Sequence, residues 1–272
     1  MRSAQTSSAC ALVYLSPHLD DAALSCGGQI HRQTGAGLPV VVITLCAGAP
    51  ASNTVSPFAG SLHARWGVPA AQAVAARRAE DRAALAALGA AALHLGVPDC
   101  IYRVSPATGE ARYASEASLW GALHPEEAEL AERCAEMLRA ELRSMRIPGA
   151  RWYAPLGLGR HVDHQLARRA AELAFPVWAY YEDYPYADRE ANLSPHSRVS
   201  GDETLGLSAA VVPLAEADLQ AKCRAVAAYT SQLSTFWKSA AAMEASLAQY
   251  AARVGGGQWA ERFWRPATAS CL

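Results

Sequence analysis

The chain lacks a basic excess. Its 24 Lys and Arg face 25 Asp and Glu, for a net charge of −1, so the electrostatic footprint of a nucleic-acid binder is missing. No apolar run approaches the length a membrane-spanning helix needs. The N-terminal stretch has no charged segment leading into a long apolar one. Its only apolar run, Ala9 to Leu15, passes straight into a His-Asp-Asp group, and cutting there would destroy the first strand, so a cleaved secretory signal is not expected. The seven cysteines form no Cys-x-x-Cys pair. An odd, scattered set reads as core thiols of a reduced, cytoplasmic protein. Lysine is scarce beside arginine and alanine is abundant, a composition of GC-rich bacterial genomes. No Gly-x-Gly-x-x-Gly loop follows the first strand, which argues against a dinucleotide binder. Internal repeats, low-complexity tracts and interdomain linkers are also missing. What remains is 272 residues at 51% hydrophobic and 18% charged, enough core for one domain over 1–272.

Apolar runs alternate with helix-like segments. Ala11–Leu15 reads as a buried parallel strand, Ala22–Thr34 as a helix closed by Gly35, and the β-branched run Leu38–Leu45 as a second strand. Pro69–Leu88 is an Ala-rich helix stopped by Gly89, and Ala91–Leu95 a short strand. Pro125–Met145 is a helix with acids in its first turn and arginines in its last, as the helix dipole favours. Arg151–Pro155, Val177–Tyr181 and Leu207–Val212 read as strands; His161–Ala174, Leu214–Tyr229 and Lys238–Arg253 as helices. The alternation predicts an α/β fold, a Rossmann-like three-layer α/β/α arrangement with a mostly parallel sheet. Three long connections, Ala47–Val68, Pro98–His124 and Glu182–Gly206, each follow a strand, so they should gather on the rim at the C-terminal strand edge. The tail carries Trp259, Phe263 and Trp264; these aromatics should dock on the body or on another subunit of a homo-oligomer.

Two short groups carry the chemistry. Ser16-Pro17-His18-Leu19-Asp20-Asp21 follows the first strand, and His161-Val162-Asp163-His164 opens a later helix. His18, Asp21 and His164 supply two imidazoles and one carboxylate, a three-ligand metal set with positions left for water and substrate. Zn²⁺ is the default ion and Fe²⁺ fits the same set. Asp20, aimed differently by the backbone, is a candidate general base, or merely the cap of the helix that begins at Ala22. His161 could polarise a carbonyl oxygen or protonate a leaving amine. Asp163 could orient His161 through its far ring nitrogen. Either group alone is readily accidental; their joint occurrence at two strand-to-helix turns points to a metal site.

Other residues read more plainly. His31 is a surface or core side chain, and His94 a buried, hydrogen-bonded imidazole in a strand. His63, His124 and His196 lie in rim loops. Ser25-Cys26-Gly27-Gly28 lets a helix pack closely on the sheet, and Cys26 has no base beside it to make it a nucleophile. The aromatics from Tyr180 to Tyr186, with Trp66 and Trp120, either stack on a bound ligand or fill their loops.

These motifs resemble the PIG-L/LmbE-like deacetylase family, which carries an Ala-His-Pro-Asp-Asp-Glu type motif after its first strand and a His-x-Asp-His motif later. The likeness extends in order through Arg77-Arg78-Ala79-Glu80, Leu95-Gly96-Val97-Pro98-Asp99, and Lys222, Ala225, Tyr229, Ser231 and Gln232. It covers about residues 11–235, leaving a C-terminal helix and tail over 236–272. The resemblance implies a zinc-dependent N-deacetylase, a hydrolase removing acetyl or a longer acyl group from an N-acylglucosamine-type sugar or glycoconjugate. It implies that His18, Asp21 and His164 hold the metal, Asp20 is the base, His161 the oxyanion stabiliser or acid, and Arg77 and Asp99 contact sugar hydroxyls. An amidase of sugar–amino-acid conjugates and a non-catalytic sugar binder remain alternatives on the same scaffold. The chain departs from the family pattern at Leu19 and Ala22, and at Thr44–Ala49, where a Gly-Glu pair is replaced by Gly48-Ala49. The His-Leu-Asp-Asp variant is closer to members acting on glycopeptide or polysaccharide sugars.

Overall fold

The structure, a computed structural model, describes residues 10–51, 55–145, 149–188 and 204–267. Strands β1 (Leu12–Ser16), β2 (Val40–Thr44), β3 (Ala91–His94), β4 (Arg151–Pro155) and β5 (Val177–Tyr181) run parallel. Strand β7 (Ala260–Pro266) runs antiparallel between β5 and β6 (Leu207–Pro213) and completes the sheet, in the order β3-β2-β1-β4-β5-β7-β6.

Both sheet faces are covered, so the strands are apolar on both sides. Leu12 and Tyr14 of β1 face a cluster built with Ala22, Ala23, Cys26 and Ile30 of α1 (Asp21–Gly35), Leu85 of α3 (Ala70–Ala87) and Ala221 and Ala225 of α6 (Glu216–Ala227). Val13 and Leu15 face the opposite cluster, with Cys134 and Leu138 of α4 (Leu130–Met145) and Leu166, Ala167 and Ala170 of α5 (Val162–Ala174). This is the three-layer arrangement the alternation predicts. The chain moves from β1 towards β2 and β3 on one side, while β4 and β5 lie on the other. The strand order therefore reverses between β1 and β4, which stay parallel, and such a switch point leaves a crevice at the carboxyl ends of the strands.

Helix α1 is broken at Cys26 (φ −138°, ψ 24°). The groups freed by the break find buried partners. Lys222 Nζ donates to the Ser25 carbonyl (3.2 Å) and to Glu261 Oε1 (2.7 Å), while the Glu261 carboxylate accepts from the Gly28 and Gln29 amides (3.1 and 2.8 Å). Gly28 packs closely here: a Cβ would lie 2.6 Å from Leu214 Cδ1, so a larger residue would displace that side chain. The close packing read from Ser25–Gly28 is thus observed.

Three segments differ from the sequence reading. The Ala47–Val68 connection contains a helix, α2 (Pro57–Trp66). Its Ser56 hydroxyl caps the Ala59 amide (3.1 Å), Pro57 sits at the first turn and Gly67 closes it with φ 66°, the usual start and stop chemistry. Helix α4 starts at Leu130, with Pro125–Glu127 a separate 3₁₀ turn, because the Glu127 side chain is drawn inward to Arg103 and Tyr113. The tail docks on the body as strand β7, with Phe263 in the core between α1 and the sheet. Two further helices, α7 (Thr230–Phe236) and α8 (Ala240–Val254), close that end. Among the described residues no helix is long and apolar enough to cross a membrane. His196, with most of the Glu182–Gly206 connection, lies outside the described residues.

Candidate metal centre and active site

The site begins with a turn. Ser16, the last residue of β1, donates its hydroxyl to the His18 carbonyl (2.7 Å) and accepts the Ala22 amide (3.1 Å). Ser16 therefore caps α1, and Asp20 does not: it makes no side-chain capping bond. Asp20 instead holds φ 156° and ψ −30°, a backbone region L residues rarely use and one whose strain concentrates at functional sites. The strained turn sends the Asp20 and Asp21 carboxylates to different places. Asp21 Oδ2 accepts the His18 amide (2.8 Å); Asp20 lines the cleft.

Three ligand-type atoms converge under that cleft. His18 Nδ1 lies 3.2 Å and His164 Nε2 3.3 Å from Asp21 Oδ2. His164 Nε2 is buried and makes no hydrogen bond. The side chains of His18, His161 and His164 bring nitrogens within 4.8 Å of one another. Each of His18 and His164 has a carboxylate on its far nitrogen: His18 Nε2 meets Asp163 Oδ2 (3.0 Å), and His164 Nδ1 meets Asp183 Oδ1 (2.6 Å). Such carboxylate–imidazole pairs fix the ring and leave the near nitrogen's lone pair for a cation. Asp183 was not singled out from the sequence. Its only signal there is an acid just past a rim strand; its other oxygen accepts the Gly157 and Leu158 amides (2.7 and 3.0 Å).

The electrostatics of the cluster suit a cation. Burial pushes the His18 imidazole down, yet Asp99, Asp163 and Asp21 outweigh it and hold His18 well above its usual range. The same contest, with Asp21 and Asp183 opposing burial, lifts His164 to about 9. Buried carboxylates thus demand positive charge where the ligand atoms meet, a charge that a divalent ion would supply in place of those protons. The donor set and the unpartnered His164 nitrogen fit Zn²⁺ or Fe²⁺.

The carboxylate of Asp20 is raised to about 7, by burial first and by Asp21 next, with Arg77 and His18 pulling the other way. His161 is held well below its usual range, by burial and then by His18 and His164, and so stays neutral. It caps α5, its Nδ1 accepting the Asp163 amide (3.2 Å). A neutral ring with Nδ1 accepting carries its proton on Nε2, which makes His161 a hydrogen-bond donor in the cleft it lines.

This corrects the expectation for Asp163. The backbone amide of Asp163 orients His161; its carboxylate goes elsewhere, to His18, the Cys100 amide (2.9 Å) and Arg103 Nη1 (2.5 Å). The reason is helix geometry: an N-cap side chain is met by the amide two residues on, which turns the Asp163 side chain into the core.

Arg77 and Asp99 both reach the cleft. Arg77 places Nη2 3.8 Å from Asp20 and Nη1 3.8 Å from Asp99, and its guanidinium lies over the Trp66 ring at 4.9 Å. Asp99 also caps the turn at Cys100–Tyr102, accepting the Ile101 amide (3.2 Å). The cleft has a volume of about 200 Å³. Its walls come from α2 (Phe58, Trp66), the 98–124 connection (Leu119, Trp120), Tyr186 past β5, and Phe236 of α7, so the long connections do gather on the rim. Among the remaining histidines, His94 bonds Asp81 (2.7 Å), His31 bonds Asp218 (2.8 Å), and His63 is buried against the Tyr102 hydroxyl (2.7 Å). None of these, nor His124, lines the cleft.

The family model of PIG-L, the GlcNAc-PI de-N-acetylases, matches residues 13–175. The chain is 30% identical to a 2'-N-acetylparomamine deacetylase of Streptomyces fradiae, over 80% of this chain and 72% of that protein. It is 26% identical to a 2'-N-acetylparomamine deacetylase of Niallia circulans, over 65% of this chain and 67% of that one. Among solved structures, the zinc-inhibited form of a teicoplanin deacetylase superposes with a TM-score of 0.78 at 29% identity, covering 94% of this chain and 99% of that one. With the family match running through both the His18 turn and the His161 turn, this chain belongs to the PIG-L family.

Proposed function

We propose that the protein is a metal-dependent hydrolase that removes an acetyl or longer acyl group from the amine of an N-acylglucosamine-type sugar or glycoconjugate. The observation that supports this best is a strained, cleft-lining Asp20 beside a cluster of ligand atoms whose imidazoles are each backed by a carboxylate. His18, Asp21 and His164 would hold the ion, Zn²⁺ by preference. When bound, that ion supplies Lewis-acid polarisation of water and of the amide carbonyl.

The remaining chemistry belongs to the side chains. Asp20, poised near neutrality, takes a proton from the attacking water as its oxygen bonds to the acyl carbon. The His161 Nε2–H donates to the carbonyl oxygen as negative charge develops there. The proton held by Asp20 passes to the sugar nitrogen, the C–N bond breaks, and the free amine and a carboxylate leave. Arg77 and Asp99 offer a donor and an acceptor to sugar hydroxyls, and the aromatic walls offer faces on which a sugar or its aglycone stacks. The named relatives, two 2'-N-acetylparomamine deacetylases and a teicoplanin deacetylase, support this substrate class. The described cysteines are free thiols, which supports a reducing compartment such as the cytoplasm.

The experiment is a panel of N-acylated glucosamine derivatives with metal-loaded protein, reading released amine, run beside Asp20→Asn. Turnover in the wild type with a loss of about 10²–10⁴-fold in the variant at equal metal content is expected. No released amine from any N-acyl sugar, or full activity in Asp20→Asn, overturns the reading.

A further inference from the structure

Behind the metal centre lies a buried ion-pair chain that the catalytic scheme does not use. Arg103 sits in the 98–124 connection with 5% of its side chain exposed. Its Nε donates to Glu127 Oε1 (2.8 Å) and its Nη1 to Asp163 Oδ1 (2.5 Å). Glu127 is fully enclosed and also accepts from Arg112 Nη1 (3.2 Å) and the Tyr113 hydroxyl (2.8 Å). The other oxygen of Asp163 meets His18 Nε2. A continuous line therefore runs from Glu127 through Arg103 and Asp163 to the imidazole of His18.

We infer that Arg103, clamped by Glu127, is a positioning residue that fixes Asp163 against His18 and so aims His18 Nδ1 at the metal position. A buried carboxylate touching only an imidazole and one amide would be free to rotate. The guanidinium prevents this: its planar fork spans two acids at once, which an ammonium cannot do. Arg103 also ties a cleft wall to the metal centre, because Ile101, Leu119 and Trp120 of the same connection line the cleft.

This inference rests on the metal reading proposed above, and the test separates the two. Metal affinity is measured by competition with a chromophoric chelator for the wild type, Arg103→Met and Arg103→Lys, with melting curves and steady-state kinetics for each. Affinity is expected to fall about 10–100-fold in Arg103→Met. Arg103→Lys, which keeps the charge and loses the fork, is expected to be folded and intermediate. In both, kcat should fall while KM for a small N-acyl sugar holds, a split that general loosening of the fold would not give. A folded variant of either kind with affinity and kcat within twofold of wild type overturns the inference. So does loss of the fold in both, which would make Arg103 a core strut only. A wild type that binds no metal at all would instead sink the metal reading.

Discussion

At the scale of single residues, the site pairs each reactive group with a neighbour that decides its protonation. His161 is kept neutral by burial and by two nearby imidazoles, and its proton is placed on Nε2 by one amide. Replacing His161 with Ala should cost about 10²–10³ in kcat and leave bound metal unchanged, as read by atomic absorption on the purified variant. Asp183 lies outside the reacting atoms but bonds His164 Nδ1 and two backbone amides. Asp183→Asn should therefore weaken metal binding about 10–100-fold, measured by chelator competition; unaltered affinity would show that His164 needs no carboxylate behind it. The sequence exposed His18, Asp20, Asp21 and His164 because three of them crowd the turn after the first strand and the fourth sits in a His-x-Asp-His group at another strand-to-helix turn. Asp183 and Arg103 were hidden for the opposite reason. Each meets its partner across 19 and 60 residues respectively, and an acid after a strand or an arginine in a loop has no periodicity to betray it.

At the scale of elements, the family-like residues that do not enter the cleft act as fasteners. Lys222 and Glu261 satisfy the groups exposed by the break in α1. Both are buried, so Lys222→Met would strand a carboxylate in the core, and about 3–5 kcal/mol of stability should be lost, measured by urea denaturation. Glu80 fastens α7, accepting from the Thr230 hydroxyl, the Ser231 amide and the Ser231 hydroxyl (2.6, 2.9 and 2.6 Å). Gln232, Thr235 and Phe236 of that helix line the cleft. Glu80→Ala should raise KM and speed amide exchange across 230–236 while kcat changes little; unchanged exchange there would mean α7 is held by its apolar contacts alone. The parallel strands were legible because buried runs such as Val40–Thr44 are β-branched throughout. Strand β7 was not, since Ala-Glu-Arg-Phe-Trp-Arg-Pro mixes charges with aromatics, and two of those charges find distant partners, Glu261 on Lys222 and Arg262 on Glu182. Helix α2 was missed because its start and stop signals sit inside a long Gly-, Pro- and Ser-rich stretch that reads as loop.

At the scale of the molecule, the candidate ligands arise from turns at the ends of β1 and β4, and both apolar clusters are complete without them. The ion should therefore be needed for turnover and not for folding. Dialysis against a chelator is expected to abolish deacetylation, leave the far-ultraviolet circular dichroism intact, and allow recovery on adding Zn²⁺; unfolding on chelation would assign the ion a structural role instead.

The placement of β7 between β5 and β6 also constrains biosynthesis. On the ribosome, residues 207–213 emerge well before 260–266, so β6 has no sheet edge to join until the later strand is released. Until then β5 presents a bare edge, the kind of surface on which nascent chains stick to one another, and Glu261 is not yet there to settle the broken helix beside the reactive turn. Translation must run past residue 266 before the amidohydrolase can assemble, so a ribosome that stalls short of it leaves an inert, adhesive fragment for the chaperones.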